Sequence, residues 1–167
     1  MVLVGGFMKG RSDGLEGLLQ FLSHGSLLRK ALFHAGFKVI QSHWLLLKLA
    51  TFSYARFWQN LREFEPLDAT IRNIFPDVKN HSVPALRSLC RYLIDMDLFD
   101  ELDSISAPVL FIVGEKDPII PQAHQIACAE KLEHSELFVF KACGHFKFAE
   151  DSKKFEAIVL EWLDHHG

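Results

Sequence analysis

The most informative segment of this chain reads Ala107-Pro108-Val109-Leu110-Phe111-Ile112-Val113-Gly114-Glu115-Lys116-Asp117-Pro118. The five apolar residues from Val109 to Val113 are too few for a helix of ordinary length, and Pro108 and Gly114 bound them as they would bound a buried strand. Because apolar character on both faces is typical of a strand that helices cover on both sides, we expect a parallel strand here. In such sheets the functional groups lie just beyond the carboxyl ends of the strands, which is where Asp117 stands.

A second unit of the same kind follows along the chain. The segment Leu137–Phe140 predicts another short apolar strand, and residues 121–133 between the two strands predict a helix. Strand, helix and parallel strand form a right-handed crossover, and parallel neighbours lie roughly 5 Å apart. We therefore expect Asp117 and His145, which follow the two strands, to emerge side by side at one edge of the sheet. A carboxylate that orients a histidine is part of the triad used in nucleophilic catalysis.

Together the two segments resemble the last third of the α/β-hydrolase fold family. The residues that carry this resemblance are Val113-Gly114-Glu115-Lys116-Asp117-Pro118-Ile119-Ile120-Pro121 and Cys143-Gly144-His145, in the acid-then-histidine order of that family. The resemblance implies that Asp117 is the triad acid and that His145 is the general base and acid. It also implies hydrolysis of an ester or of a related carbon–heteroatom or carbon–carbon bond. It covers Leu98 to the C-terminus well and the first residues moderately, whereas the middle resembles the family's variable cap region in being helical.

We expect the nucleophile elbow that this family carries in a Gly-x-Ser-x-Gly segment after an earlier strand to be absent from this chain. The segment Ser23-His24-Gly25-Ser26-Leu27 is a candidate elbow, but its glycine spacing differs and the preceding Leu15–Leu22 predicts a helix, so we expect a loop there. The family's N-terminal oxyanion-hole segments are missing as well. We therefore expect a C-terminal hydrolase fragment, cut from a longer ancestral chain or by a gene model, that is inactive alone. The other interpretation is that the strand predicted from Met1 onwards is naturally short at the N-terminus.

Two alternatives concern the chemistry. Cys143 lies two residues before His145 and is a candidate cysteine nucleophile, although a residue so close along the chain would rarely aim its sulfur at the imidazole. The alternative interpretation of His145 is a histidine with a purely structural role. The rival function is a non-catalytic remnant, or a module that binds a small molecule or a partner in an apolar cap pocket. The adjacent His165 and His166 at the C-terminus are more typical of a frayed tail than of a metal site, so we predict no metal and no cofactor.

Composition narrows the class of protein. The 167 residues are 49% hydrophobic and 23% charged, as in an ordinary globular protein, and are long enough to bury a core as a single domain, 1–167. The net charge of −3 gives no indication of nucleic-acid binding. Three widely spaced cysteines match neither a disulfide framework nor a zinc motif, and the first residues lack the features of a signal peptide. A cytoplasmic setting is therefore expected.

The region 7–106 is predicted to be a mostly helical cap. One of its helices is expected to stop at Gly36 and another to end before Pro76. Trp44–Phe52 is its most apolar part, but it is well short of the ~20 residues of a membrane span, and a buried helix is favoured over an interfacial one. Four aromatic side chains are candidates to line a substrate pocket, with simple core packing as the alternative: Phe52, Tyr54, Phe57 and Trp58.

The predicted fold is α/β, a partial α/β-hydrolase fold in which a helical cap is inserted into a small parallel sheet. Its three strands are predicted at Met1–Gly5, Val109–Val113 and Leu137–Phe140, and 107–167 forms a C-terminal strand-helix-strand-helix unit. The first strand would leave an apolar edge with unpaired backbone groups, because the family's nucleophile strand would be its neighbour. We therefore expect self-association, or a partner that supplies the missing half. The expected substrate of the completed protein is small, apolar and ester-like.

Overall fold

The computed structural model describes residues 1–6 and 8–166. Phe7, where the predicted cap region begins, and Gly167 lie outside the described residues. Strands and helices alternate only at the two ends of the chain, and the long middle is helical. In chain order the elements are β1 (Val2–Val4), α1 (Gly14–Ser23), α2 (Leu27–Ser42), α3 (Trp44–Phe52), α4 (Trp58–Glu63), α5 (Leu67–Asn80), α6 (Val83–Asp95), a 3₁₀ helix (Asp100–Ser104), β2 (Val109–Gly114), α7 (Gln122–Lys131), β3 (Ser135–Phe140), α8 (Lys147–Glu150) and α9 (Ser152–His166).

Within the described residues, the sheet has three parallel strands in the order β1-β2-β3. Ile112 in the central strand pairs with Val4 on one side and with Phe138 on the other. The predicted α/β fold with a small parallel sheet is thus confirmed, with modest shifts of the strand ends. The first strand is shorter than predicted, at Val2–Val4, and the third begins two residues earlier than predicted, at Ser135.

Helices cover both faces of β2, which explains why its residues are uniformly apolar. On one face Phe111 and Val113 pack with Cys128 and Ala129 of α7. On the other face Ile112 belongs to the cluster that α9 completes with Trp162, together with Phe140 of β3 and Cys143. All six residues of the strand are buried, so the strand is held from two sides and its carboxyl end is fixed in space.

Helices α1 to α6 build two further apolar clusters of their own. One contains Phe33, Val83 and Cys90 and joins α2 to α6. The other contains Leu61 and Ile71 together with Ala149 of α8, and Phe146 packs against it. Because this second cluster includes residues that follow β3, it fastens the helical region to the loop that carries His145.

Two predicted helix ends are wrong. Gly36 does not stop its helix, since α2 runs on to Ser42, and Pro76 lies inside α5, which ends at Asn80. A Cβ at Gly36 would meet no atom within 4 Å, so this glycine is a weak point within an exposed helix surface and no special backbone conformation requires it. Tertiary packing on both sides of these residues outweighs the local preference of glycine and proline to end a helix.

None of the helices in the described part of the chain combines the length and the apolar character needed to cross a membrane.

Candidate active site

Asp117 lies in the turn that follows β2, and its side chain is completely buried. One carboxylate oxygen, Oδ1, accepts hydrogen bonds from the backbone N–H groups of Ile119 and Ile120, at 2.9 and 3.1 Å. An aspartate that bonds its own downstream backbone in this way stabilises the turn and holds its own side chain in place. The sequence Asp117-Pro118-Ile119-Ile120 therefore forms a turn that holds the carboxylate in a fixed position.

His145 follows β3, the neighbouring strand, and the structure brings it into contact with Asp117. Its Nδ1 lies 3.0 Å from Oδ2 and 3.3 Å from Oδ1 of that carboxylate. The imidazole is about a quarter exposed, at 23%, whereas the carboxylate is not exposed at all. Because a carboxylate accepts a hydrogen bond from an N–H at Nδ1, this pairing favours the neutral tautomer whose free lone pair is on Nε2. The more accessible histidine can then exchange a proton with a third group.

The loop that carries His145 is held from below by Glu150, which sequence reasoning missed. Glu150 is buried, and its two carboxylate oxygens each lie 3.1 Å from the backbone nitrogen of Gly144. The same carboxylate accepts from the backbone N–H of Phe57 at 3.3 Å, which ties the helical middle of the chain to this loop. A side chain at Gly144 would collide with the backbone of Arg56, so the glycine before the histidine allows this close approach. A lone glutamate five residues after His145 gave no signal that would distinguish it from a surface residue.

Lys147 is the second residue that the sequence interpretation missed. Its side chain is completely buried, and its Nζ lies 3.0 Å from Oδ2 of Asp117. The signal in the sequence is a lysine within the apolar run Phe146-Lys147-Phe148-Ala149, since a lysine between apolar residues of a buried segment requires a partner.

The charges around Asp117 determine its protonation. Burial opposes ionisation of this carboxyl, but the hydrogen bond from His145 and the charge of Lys147 outweigh burial and lower the pKa of Asp117 to about 2. Asp117 is therefore a carboxylate throughout the physiological range of pH. That is the state in which it can orient an imidazole and stabilise an imidazolium.

Cys143 lacks the properties of an activated nucleophile. It is buried within the cluster on the α9 side of the sheet. Burial, followed by the negative charges of Glu150 and Asp151, raises the pKa of its thiol to about 11. Because the thiolate is the reactive form, this environment disfavours the cysteine alternative.

The Ser23-His24-Gly25-Ser26 segment is a connection between helices, as expected. Ser23 is the last residue of α1 and is completely buried, and its hydroxyl donates to the backbone carbonyl of Gln20 at 2.6 Å. Ser26 instead caps α2 by accepting from the backbone N–H of Arg29. Helix α1 directly precedes this segment where an elbow requires a strand, so it is not a nucleophile elbow. The sequence interpretation overlooked Gly10-Arg11-Ser12-Asp13-Gly14, which has the Gly-x-Ser-x-Gly spacing. Ser12 is buried there, and its hydroxyl accepts a hydrogen bond from Nε2 of Gln20 at 3.4 Å.

An apolar cavity of about 350 Å³ lies between helices of the middle of the chain and the histidine loop. Tyr54 and Phe146 line it, and their rings lie 5.9 and 5.5 Å from the His145 ring. Of the four predicted pocket aromatics, Tyr54 alone is among the residues that line this cavity. Phe52 packs in the cluster around Leu61, while Phe57 and Trp58 are exposed. The other lining side chains come mainly from α1, α2, α3, α5 and α6: Leu15, Leu19, Phe37, Ile40, Leu47, Val78 and Leu86.

Tyr54 adds a polar group to this apolar wall. Its hydroxyl lies 3.3 Å from the Glu16 carboxylate, and burial together with Glu16 raises the pKa of Tyr54 well above its usual range. Its backbone carbonyl accepts from the backbone N–H of His145 at 3.0 Å. Tyr54 thus lines the cavity and also holds the histidine loop through its backbone. Among residues 1–6 and 8–166, no cluster of three or more histidine, cysteine or acidic side chains is placed to hold a metal ion.

Comparison with known proteins shows the family to which the chain belongs. A profile of the alpha/beta hydrolase fold matches residues 32–152.

Two curated relatives represent the sequence matches. The chain is 34% identical over 70 residues to a proline iminopeptidase of Thermoplasma volcanium, a match that covers 42% of this chain and 23% of that protein. It is 30% identical over 69 residues to a 2-hydroxy-6-oxononadienedioate/2-hydroxy-6-oxononatrienedioate hydrolase of Paraburkholderia xenovorans, covering 41% of this chain and 24% of that protein. Each match therefore spans about a quarter of the relative's length.

A solved alpha/beta hydrolase enzyme from a Medee basin deep-sea metagenome library shares the fold. It superimposes with a TM-score of 0.63 at 18% identity, over 98% of this chain and 55% of that enzyme. The chain thus belongs to the α/β-hydrolase fold family, and it spans about half of this solved member.

Proposed function

We propose that Asp117 and His145 are the acid and the histidine of a hydrolase triad, and that the nucleophile comes from a segment outside this sequence. The observation that carries the proposal is the 3.0 Å contact between Nδ1 of His145 and Oδ2 of Asp117, at the carboxyl ends of two neighbouring parallel strands. In open α/β sheets this edge is where ligands bind, and an acid–histidine contact there is the core of a nucleophilic site.

The proposed chemistry uses the two nitrogens of His145 for different tasks. The N–H at Nδ1 donates a hydrogen bond to the Asp117 carboxylate and keeps its proton, so the lone pair of Nε2 is free to take the proton of an attacking hydroxyl. The imidazolium that forms is stabilised by the ionised Asp117. Nε2 then returns the proton to the leaving group as the ester or related bond breaks, so the histidine serves as base and then as acid.

The proposed substrate is small and largely apolar. The cavity beside His145 is lined by leucine, isoleucine, valine and aromatic side chains, and pockets of this size bury ligands by excluding water. The hydroxyl of Tyr54 is a candidate polar contact to a substrate group that enters from the cavity. The two curated relatives carry the names of a proline iminopeptidase and of a 2-hydroxy-6-oxononadienedioate/2-hydroxy-6-oxononatrienedioate hydrolase, so their names support hydrolysis and leave the bond type open.

The non-catalytic alternative is not favoured, because the relatives are hydrolases by name and both Asp117 and His145 are present. A cytoplasmic setting belongs to the same proposal and is supported by the three free cysteines Cys90, Cys128 and Cys143. We also propose that nucleic acid is not a partner, in keeping with the net charge of −3.

The first test uses the chain alone. Turnover of p-nitrophenyl acetate should be no faster than that of the His145→Ala variant, because an acid–histidine pair without its nucleophile and oxyanion donors retains little catalysis. His134→Ala, which removes an exposed histidine, is the matched control. Saturable turnover that disappears in His145→Ala alone would mean that a nucleophile lies within this chain.

The second test supplies the missing segment. The chain is co-produced with the N-terminal part of the metagenome hydrolase that it does not cover, and ester hydrolysis of the complex is measured. Hydrolysis should fall by about 10⁴-fold when Asp117 is replaced by Asn, and at least as far in His145→Ala. Activity of the complex that survives both substitutions would contradict the proposal.

A further inference from the structure

The completely buried lysine beside the acid–histidine pair requires an explanation of its own. Lys147 is the first residue of α8, two positions after His145, and its side chain has no solvent exposure. A buried ammonium is strongly unfavourable unless a negative charge and hydrogen-bond acceptors compensate for lost water. Oδ2 of Asp117, 3.0 Å from Nζ, is the charge that compensates it.

The ends of β1 and β2 are shaped to admit this side chain. A Cβ at Gly114, the last residue of β2, would lie 2.9 Å from Cε of Lys147 and 2.8 Å from the carbonyl oxygen of Cys143. A Cβ at Gly5, just after β1, would lie 3.1 Å from Nζ of Lys147 and 3.1 Å from Cε1 of His145. Two glycines at neighbouring strand ends thus leave a channel that the lysine fills, and Lys147 is built into the site.

The contacts of Asp117 divide between its two oxygens. Oδ1 accepts from the backbone N–H groups of Ile119 and Ile120, and Oδ2 accepts from His145 and Lys147, each at 3.0 Å. Rotation of the carboxylate would break bonds at both oxygens. The titratable groups in contact with it are His145, from the loop after β3, and Lys147, from α8.

We propose that Lys147 is a positioning residue of the Asp117–His145 pair, whose buried ammonium keeps the carboxylate ionised and fixes Oδ2 opposite Nδ1 of His145. The inference rests on the proposed function of that pair. Because the ammonium and the imidazole share Oδ2, Lys147 also weakens the hydrogen bond between Asp117 and His145. The lysine does not touch substrate, since its side chain is completely buried.

The first experiment needs no variant of Lys147. In a nitrogen-15 spectrum of the lysine ammonium groups of the full chain, Lys147 should give a signal that exchanges with water more slowly than the surface lysines. It should also show a through-bond correlation to the Asp117 carboxyl carbon. The signal should be lost in Asp117→Asn. A wild-type spectrum with no protected ammonium would overturn the proposal.

The second experiment removes the charge. Lys147→Met keeps the length of the side chain, and carbon-13 titration of the Asp117 carboxyl should show its midpoint rising by about one to two pH units. The Nδ1 proton of His145 should move downfield, because Oδ2 then has one donor fewer. Lys116→Met is the matched control, since Lys116 is half-exposed and pairs with Glu115, and it should leave both readouts unchanged.

A folded Lys147→Met protein with an unchanged Asp117 midpoint and unchanged His145 ring signals would overturn the positioning role and leave Lys147 as packing. If this variant does not fold, the ammonium spectrum of the wild-type chain decides. Neither readout depends on turnover. Failure of the triad proposal would therefore appear in the ester assays, and failure of this inference would appear in the spectra.

Discussion

At the scale of single residues, Asp117 combines complete burial with ionisation. Its pKa is held at about 2 by the hydrogen bond from His145 and the charge of Lys147, against the effect of burial. A carboxyl whose pKa is lower in the folded than in the unfolded protein stabilises the fold above its unfolded pKa of about 3.9. That stabilisation is lost as the pH falls through the folded pKa.

The first prediction follows from this sign. The difference in free energy of unfolding between the wild type and Asp117→Asn should include a pH-dependent part of about 2 kcal/mol, constant above pH ~5 and disappearing between pH ~4 and pH ~2. Urea unfolding followed by circular dichroism across this range measures it. Asp164→Asn, at an exposed position of α9, should track the wild type at every pH. A constant difference between wild type and Asp117→Asn down to pH 2 would contradict the depressed pKa.

Glu150 supports the second prediction. Replacement by Gln turns one oxygen that accepts from the Gly144 backbone into an amide that cannot accept, and leaves a buried N–H poorly paired. The free energy of unfolding should fall by about 1–3 kcal/mol. Glu156→Gln, on the exposed face of α9, is the control and should change stability by less than about 0.5 kcal/mol. Equal melting temperatures of the two variants would show that Glu150 does not hold the histidine loop.

At the scale of elements, the carboxyl end of β2 meets the histidine loop with no space to spare. Gly114 contacts the backbone of Cys143 and Gly144 so closely that any side chain would displace the loop. The end of the strand and the histidine loop are therefore packed rigidly against each other. The pairing of β2 with β3 sets the distance between Asp117 and His145.

The third prediction compares two glycines. Gly114→Ala should lower the free energy of unfolding by about 1–3 kcal/mol and shift the His145 ring resonances, because the added methyl group pushes the loop away. Gly36→Ala should raise it by up to about 1 kcal/mol, since Gly36 lies in an exposed part of α2 with open space around it. Chemical denaturation with imidazole spectra measures both. A Gly114→Ala protein as stable as the wild type would show that the loop is free to move.

At the scale of the whole molecule, β1 is an edge strand, and β2 is its one partner among the described residues. The carbonyl of Met1 and the N–H of Gly5 bond to β2. Because alternate residues of a parallel strand face opposite sides, the N–H groups of Val2 and Val4 point away from β2. An exposed apolar edge of this kind recruits other strands.

The fourth prediction is that the chain self-associates through this edge. Light scattering over a dilution series should show mass increasing with concentration. Val4→Pro should reduce the association, because proline removes an outward N–H without breaking a bond to β2. Val4→Thr keeps this N–H and should associate like the wild type. A wild-type monomer that stays soluble at high concentration would show that the edge is already protected, and equal association of both variants would place the contact elsewhere.

The parallel sheet and the approach of Asp117 to His145 can both be predicted from the amino-acid sequence. A short apolar run bounded by proline and glycine suffices to predict a buried strand, and right-handed crossover connections then bring the ends of parallel strands to one edge. These are local patterns joined by a general rule of chain geometry, so they can be read before any contact is known.

The groups that surround Asp117 and His145 become apparent only in the tertiary structure. Lys147 and Glu150 lie in a segment whose periodicity does not reveal which side chains are buried, and both acquire their roles from partners that distant parts of the chain supply. The same holds for Gly36 and Pro76, where packing outweighed local preference. Burial and charge pairing depend on contacts between distant segments, and these exist only once the chain has folded.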